Sequence, residues 1–217
     1  MPDWQFFHKL EPYEARLAAM QAHVQAMQNG HAEEAIWVLS HEAVYTGGTS
    51  ATASDILSKS DIPFIETGRG GQWTYHGPGM RIAYPMLDLN KRVADLRLYV
   101  HQLEAWVIDI LGCFAVEGHR REGLPGVWVR HEDGTGYDKI AALGARVSKW
   151  ITAHGFAINN APSLSAYDAI VPCGVTDAGV TSLAALGQDI SDSELDMAIQ
   201  DCFATHFGDA SPMARHP

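Results

Sequence analysis

The chain has 217 residues, 47% of them hydrophobic and 19% charged, a globular mixture with enough apolar material for a full core. Its formal net charge of −11 at pH 7 argues against broad nucleic-acid binding, which needs a basic face. No uninterrupted apolar run of about eighteen residues offers a membrane span, and the N-terminal "MPDWQFFHKLEPYEARL" has no apolar signal core. The expectation is a cytoplasmic protein with neither membrane nor nucleic acid as a partner.

Residues 11–28 read as a helix, because Tyr13, Leu17, Met20, Val24 and Met27 recur at three- and four-residue steps, and Gly30 supplies a stop. Strands are expected at 35–39, 43–46, 62–67 and 81–85, with a glycine-rich stretch as the connection before the last of these. A second helix is expected over 93–111, with Leu96, Val100, Leu103, Val107 and Ile110 on one stripe. Further strands are expected at 113–117, 126–130, 139–147 and 150–158. Helical turns follow Pro162, and a last helix starts near Asp192 with Leu195, Ile199 and Cys202 or Phe203 on its buried face. This order predicts an α+β domain with a mixed sheet over residues 1–208, not a regular βαβ repeat. The Pro- and Ala-rich residues 209–217 are expected to form a flexible tail.

The glycine-rich stretch is "GRGGQWTYHGPGM", Gly68 to Met80, with five glycines in thirteen residues. Such a backbone can approach a ligand closely, and its N–H groups can hold an anion or a carbonyl oxygen. Arg69 adds a charged fork and His76 a hydrogen-bonding ring. The spacing is neither GxGxxG nor GxxxxGK[ST], so neither a dinucleotide nor a P-loop site is indicated. Glycine clusters are also ordinary turn punctuation, and a tight hairpin over packed aromatics fits the spacing equally well.

Of the three cysteines, Cys113 and Cys202 sit in apolar surroundings of the kind that bury structural thiols. Cys173, in "VPCGVTDAGVTSL", lies between proline and glycine and reads as a loop cysteine. A thiolate is the reactive form, and a nearby cation favours it. Lys139 opens the otherwise apolar "KIAALG" and is a candidate for that cation, although a lysine at a strand end commonly snorkels to solvent. There is no GxSxG elbow, no HExxH and no Cys/His spacing for zinc, so no metal is expected.

Five stretches together resemble one family. They are "HEAVYTGG" from His41, "GRGGQWTYHGPGMRIAYPMLDL" from Gly68, "GVWV" from Gly126, "KIAALGARVSKWITAHGFAINN" from Lys139 and "PCGVTDAGVTSL" from Pro172. In this order they resemble the lipoyl(octanoyl) transferases, the octanoyl-acyl-carrier-protein–protein N-octanoyltransferases of lipoate biosynthesis. The resemblance implies the α+β fold of the lipoate and biotin protein ligase catalytic domains, with mixed sheets flanked by helices. It implies transfer of an octanoyl group from acyl carrier protein to a cysteine thioester, and then to a lysine of a lipoyl domain. The acceptors would be the lipoyl domains of 2-oxoacid dehydrogenases and the glycine cleavage H protein, with no cofactor. The nucleophile falls on Cys173 and its proton-shuttling partner on Lys139. The substrate-binding positions fall on Arg69, Gly70, Gly71, Gln72, Trp73, Thr74, Tyr75 and His76, on Ala142, Leu143 and Gly144, and on Gly155, Phe156 and Ala157.

Two departures touch substrate detail. "TSATA" follows "VYTGG" where the family has an arginine, and Met80 stands where glutamine is common. A carrier protein is itself acidic, so a local basic patch is expected, with Arg120 and Arg121 or Lys91 and Arg92 as candidates. Three other readings share these motifs: an ATP-dependent lipoate or biotin ligase, an amidotransferase between lipoyl domains, and a non-catalytic module. The PCG cysteine disfavours the ligase, donor preference alone separates the amidotransferase, and the presence of both Cys173 and Lys139 disfavours the module.

Overall fold

The computed structural model describes residues 1–171 and 178–208. Its centre is set by "AIWVLSH", strand β2 (Ala35–His41), in which all seven residues are buried. A strand covered on both faces reads as a continuous apolar run instead of an alternation. On one side β2 pairs in parallel with β1 (Asp3–Glu11), and on the other antiparallel with β6 (Met80–Met86). The sheet continues antiparallel through β12 (Phe156–Asn159), β9 (Tyr137–Leu143), β8 (Leu124–Arg130) and β7 (His119–Arg121), while β13 (Gly179–Val180) lies parallel beside β9. Parallel and antiparallel pairs thus share one mixed sheet, as expected.

The two faces of this sheet carry separate cores. Ile36, Val38, Ala83, Phe156 and Ile158 meet Leu103, Trp106, Val107 and Ile110 of α2 (Leu96–Gly112) and Leu195, Ile199 and Phe203 of α3 (Asp192–Phe207). Trp37, Leu39, Ile82, Tyr84 and Ala157 meet Met20 and Val24 of α1 (Tyr13–Gln28). The same second core includes Tyr45 and Trp73 of a three-stranded sheet, β4 (Phe64–Glu66), β3 (Val44–Gly47) and β5 (Trp73–His76). Helix entry is fixed locally. Asp95 accepts from the backbone N–H of Arg97 and Leu98 at the start of α2, and Ser191 and Glu194 form a capping box on α3.

One buried ion pair ties the sheet to α3. Arg81 of β6 donates from Nε to Asp196 Oδ1 at 2.6 Å and from Nη2 to Asp196 Oδ2 at 2.7 Å. Its Nη1 donates to the Phe7 carbonyl at 3.0 Å, which brings in β1. The Asp196→Ala variant is expected to lose about 3–5 kcal/mol of stability, because it strands a buried guanidinium. Urea denaturation measures this, and an unchanged midpoint would show that the pair contributes nothing net.

Several local expectations are corrected. Residues 113–117 are not a strand: Cys113 caps the C-terminus of α2, and the following turn places Ala115 at φ 56°. Residues 139–147 divide into β9 and β10 (Arg146–Ser148), and 150–158 into β11 (Ile151–Ala153) and β12. The chain bends out of the large sheet after Leu143 and returns at His154, whose φ is 57°. Between the bends, β10 and β11 pair as a hairpin whose turn residues Lys149 and Trp150 both have positive φ, at 49° and 64°. The first helix begins at Tyr13, not at Glu11, which ends β1. The tail expected at 209–217 lies outside the described residues. Among the described residues, no helix is long and apolar enough to cross a membrane.

Candidate active site

The bends at Leu143 and His154 open a cavity of about 490 Å³ between the large sheet, the glycine-rich loop and α2. Strand alternation decides which residues of β5 reach it. Thr74 and His76 line the cavity. Trp73 and Tyr75 point the other way: Trp73 meets Phe64 edge-on at 5.5 Å, and Tyr75 packs on Tyr45 and Tyr167. Every other expected substrate-binding position lines the cavity, namely Arg69, Gly70, Gly71, Gln72, Ala142, Leu143, Gly144, Gly155, Phe156 and Ala157.

The loop is held by its own arginine. Arg69 is buried; its Nη1 donates to the Gly70 carbonyl at 2.9 Å and its Nη2 to the Gln72 carbonyl at 2.8 Å. Its Nε donates to Thr46 Oγ1 at 3.1 Å. The guanidinium expected as a fork for ligand therefore also braces the loop against β3. Gly70 N–H donates to the Ala145 carbonyl at 3.2 Å, which closes the loop onto the bend after β9. At the second bend, a Cβ on Gly155 would lie 2.3 Å from the Ala83 carbonyl oxygen, so only glycine lets β12 approach β6 there.

Lys139 does not snorkel. It is buried, its Nζ donates to the Pro125 carbonyl at 3.0 Å, and it lies 4.5 Å from the centroid of the Trp128 ring in a cation–π contact. Gly126, at φ 130°, makes the space: a Cβ there would sit 3.0 Å from Lys139 Cε. Cys173 lies within residues 172–177, outside the described residues. The described chain resumes next to the lysine, with Gly179 and Val180 paired to Asp138 and Lys139, and Thr181 N–H donating to the Lys139 carbonyl at 2.9 Å.

The structure adds residues that sequence reasoning missed. His154 and Tyr84 form a polar wall with His76, and Val100 and Leu103 of α2 complete an apolar wall with Phe156. Behind the polar wall, His41 Nδ1 donates to the Glu11 carbonyl and its Nε2 accepts from the Tyr84 hydroxyl, each at 2.8 Å. Burial pushes His41 down to about 4 and His154 down to about 3, the latter helped by the positive charges of Arg69 and Arg146. Burial also holds His76 well below the ordinary histidine value, with His41, Arg69 and His154 adding to it. All three rings are neutral at pH 7, so these rings offer hydrogen bonding without charge, and the cation on this side of the cavity is Arg69. His76 Nδ1 has no hydrogen-bond partner among the described residues, an orphaned polar atom in the lining of the cavity.

The two candidate basic patches are largely committed within the chain. Arg92 donates to Glu34 at 2.9 Å and Arg120 lies 3.2 Å from Glu104. Lys91 is 3.8 Å from Glu33 in an exposed pair, and Arg121 stacks 4.8 Å from the centroid of the Trp128 ring.

Comparison with known proteins agrees with this geometry. The family model described as the lipoyl protein ligase A/B catalytic domain matches residues 12–204. An octanoyltransferase of Dinoroseobacter shibae is 47% identical over 213 residues, covering 95% of this chain and 97% of the relative. One from Nitrobacter hamburgensis is 49% identical over 210 residues, covering 95% of this chain and 87% of the relative. In fold, the chain is similar to a lipoate protein ligase of Thermoplasma acidophilum with bound lipoic acid, at a TM-score of 0.72 and 15% identity, covering 94% of this chain and 85% of that one. A likeness at that identity speaks for the fold alone, whereas the octanoyltransferases match at nearly half their residues over almost the full chain. The chain belongs to the lipoyl protein ligase A/B catalytic-domain family and, within it, to the octanoyltransferases.

Proposed function

We propose that this octanoyltransferase carries its acyl group as a thioester on Cys173, with Lys139 as the proton shuttle and the cavity as the acyl site. The donor is octanoyl-acyl carrier protein. The acceptors are lysines in the lipoyl domains of 2-oxoacid dehydrogenases and in the glycine cleavage H protein, and the setting is the cytoplasm. The observation that supports this reading is a buried lysine at the edge of a cavity that is apolar along one wall and lined by uncharged histidines beside Arg69 along the other.

In the first half-reaction the Cys173 thiolate attacks the donor thioester carbonyl, and the carrier thiol leaves with a proton supplied by the Lys139 ammonium. In the second, the acceptor lysine amine attacks the Cys173 thioester. The amide forms, the Cys173 thiolate leaves, and the neutral Lys139 amine takes the proton lost by the attacking nitrogen. Exchange of one thioester for another is near energy-neutral, so no ATP is needed. Each methylene buried against Val100, Leu103 and Phe156 contributes about 0.8 kcal/mol, enough for the apolar wall to favour a chain that fills it.

Intact mass after mixing with octanoyl-acyl carrier protein is the test. One octanoyl adduct, mapped to Cys173, is expected. Cys173→Ala should carry none and lose transfer by more than about 10³-fold, while Cys113→Ala and Cys202→Ala retain both adduct and transfer. Transfer at full rate by the Cys173 variant would rule out the thioester route. Acceptor labelling from octanoate and ATP without carrier protein would instead favour ligase chemistry.

A further inference from the structure

Two thiols outside the cavity face each other across the contact between α2 and α3. Cys113 Sγ and Cys202 Sγ are 3.8 Å apart, although 89 residues separate them in the chain. Neither lines the cavity. Cys113 lies ten residues beyond Leu103, the nearest cavity-lining residue on its helix, or roughly 15 Å along the axis. The sequence suggests two buried structural thiols, but Cys113 is exposed and Cys202 half-buried.

We propose that Cys113 and Cys202 are a reversible disulfide-forming pair, an oxidation site for low-molecular-weight disulfides such as oxidised glutathione. Three features of the fold carry this. The sulfurs need to close by only about 2 Å to reach bonding distance. Cys113 is the C-cap of α2, where the helix ladder ends, so the closing movement falls on the end of an element and not on its middle. A second contact sets the same register: His206, one turn after Cys202, bonds Asp109, one turn before Cys113, at 2.7 Å. Each helix thus offers an i, i+4 pair, and the two pairs face one another.

The order of reaction follows from exposure. The Cys113 thiolate attacks one sulfur of the small disulfide and expels a small-molecule thiolate, leaving a mixed disulfide on Cys113. Cys202 then gives its proton to solvent, its sulfur attacks Cys113 Sγ, and the second small-molecule thiolate leaves. Two protein thiols are oxidised and one small disulfide is reduced to two thiols, with no other reactant required. Burial first, and then Cys113 itself, push the Cys202 thiol up to about 12. Once Cys113 is in a mixed disulfide, its part of that penalty is gone and the larger part, from burial, remains, so resolution by Cys202 is slower than the first attack.

The experiment uses the full chain treated with oxidised glutathione, quenched with iodoacetamide and mapped by mass without reduction. A cross-link between the peptides containing Cys113 and Cys202 is expected, reversed by dithiothreitol. The oxidised protein should melt roughly 5–10 °C above the reduced one, because the bond closes a long loop. Cys202→Ser should trap glutathione on Cys113. A wild-type protein that keeps glutathione on Cys113 with Cys202 alkylated would overturn the proposal, and so would a cross-link from either thiol to Cys173. The wild-type map decides the matter by itself if the serine variant does not fold.

Discussion

Lys139→Ala is expected to lower octanoyl transfer about 10²–10⁴-fold, the usual worth of a positioned acid–base group. In the proposed mechanism two proton transfers pass through the one amine, so neither half-reaction is spared. Lys139→Arg keeps a cation but cannot release its proton at working pH, and its wider head must enter a space that exists only because Gly126 has no side chain. Both variants should therefore lose overall transfer, with the arginine retaining more thiolate character at Cys173 than the alanine. The alanine also leaves the Pro125 carbonyl without its donor and the Trp128 ring without its cation, at about 1–3 kcal/mol of stability. Rates must accordingly be compared well below the melting temperature. The pH dependence of iodoacetamide alkylation at Cys173, run beside acceptor octanoylation, separates a change in thiol chemistry from a change in fold. Wild-type transfer in Lys139→Ala would remove the lysine from the mechanism.

Acid is expected to unfold this protein earlier than its carboxylates alone would. His41, His76 and His154 are buried and neutral, with folded values below the ordinary 6.5, about 4 for His41 and about 3 for His154. The unfolded chain then binds protons that the folded chain refuses. Stability is full above pH 6.5 and is lost as pH falls from there toward the folded values. His41 and His154 each contribute about 1.4 kcal/mol per pH unit within that window, roughly 4 kcal/mol together by pH 5, and His76 acts in the same direction. That is a large part of the stability of an ordinary domain. Urea midpoints at pH 7.5, 6 and 5 should fall steeply, and His154→Gln should flatten the slope. A midpoint unchanged between pH 7.5 and 5 would contradict the neutral-histidine wall.

The elements that the sequence shows plainly are those with a period. The α1 and α2 stripes and the spacing of Leu195, Ile199 and Phe203 each put apolar residues at helical steps, and each is a helix. The run "CFAVE" has no period and reads as a strand by its apolar residues alone; it instead extends the end of α2 into a turn. Strand β1 was invisible because "DWQFFHKLE" places Phe6 beside Phe7 and leaves His8, Lys9 and Leu10 exposed, as an edge strand can. The cavity's glycine loop was legible through its dense glycines, whereas Tyr84 was hidden in an alternating strand and His154 in a run taken for a continuous one. The bend that aims His154 into the cavity depends on a non-glycine positive φ, which carries no reliable signature in sequence.

The crowding at Gly155 and Gly144 has a consequence for how such an enzyme can diversify. A Cβ on Gly155 would strike the Ala83 carbonyl oxygen at 2.3 Å, so main chain meets main chain there, whereas one on Gly144 would press at 3.1 Å on the Arg69 side chain and at 3.2 Å on the Gly70 carbonyl oxygen. A cavity wall cut from backbone is not recut by exchanging one residue, since a side chain at Gly155 disturbs the frame before it changes the bore. Val100 and Leu103 meet the cavity with side chains from α2, Leu103 also belonging to the core against the sheet. On the proposed acyl site, libraries aimed at altered chain length belong at the α2 positions, with Gly155 left untouched.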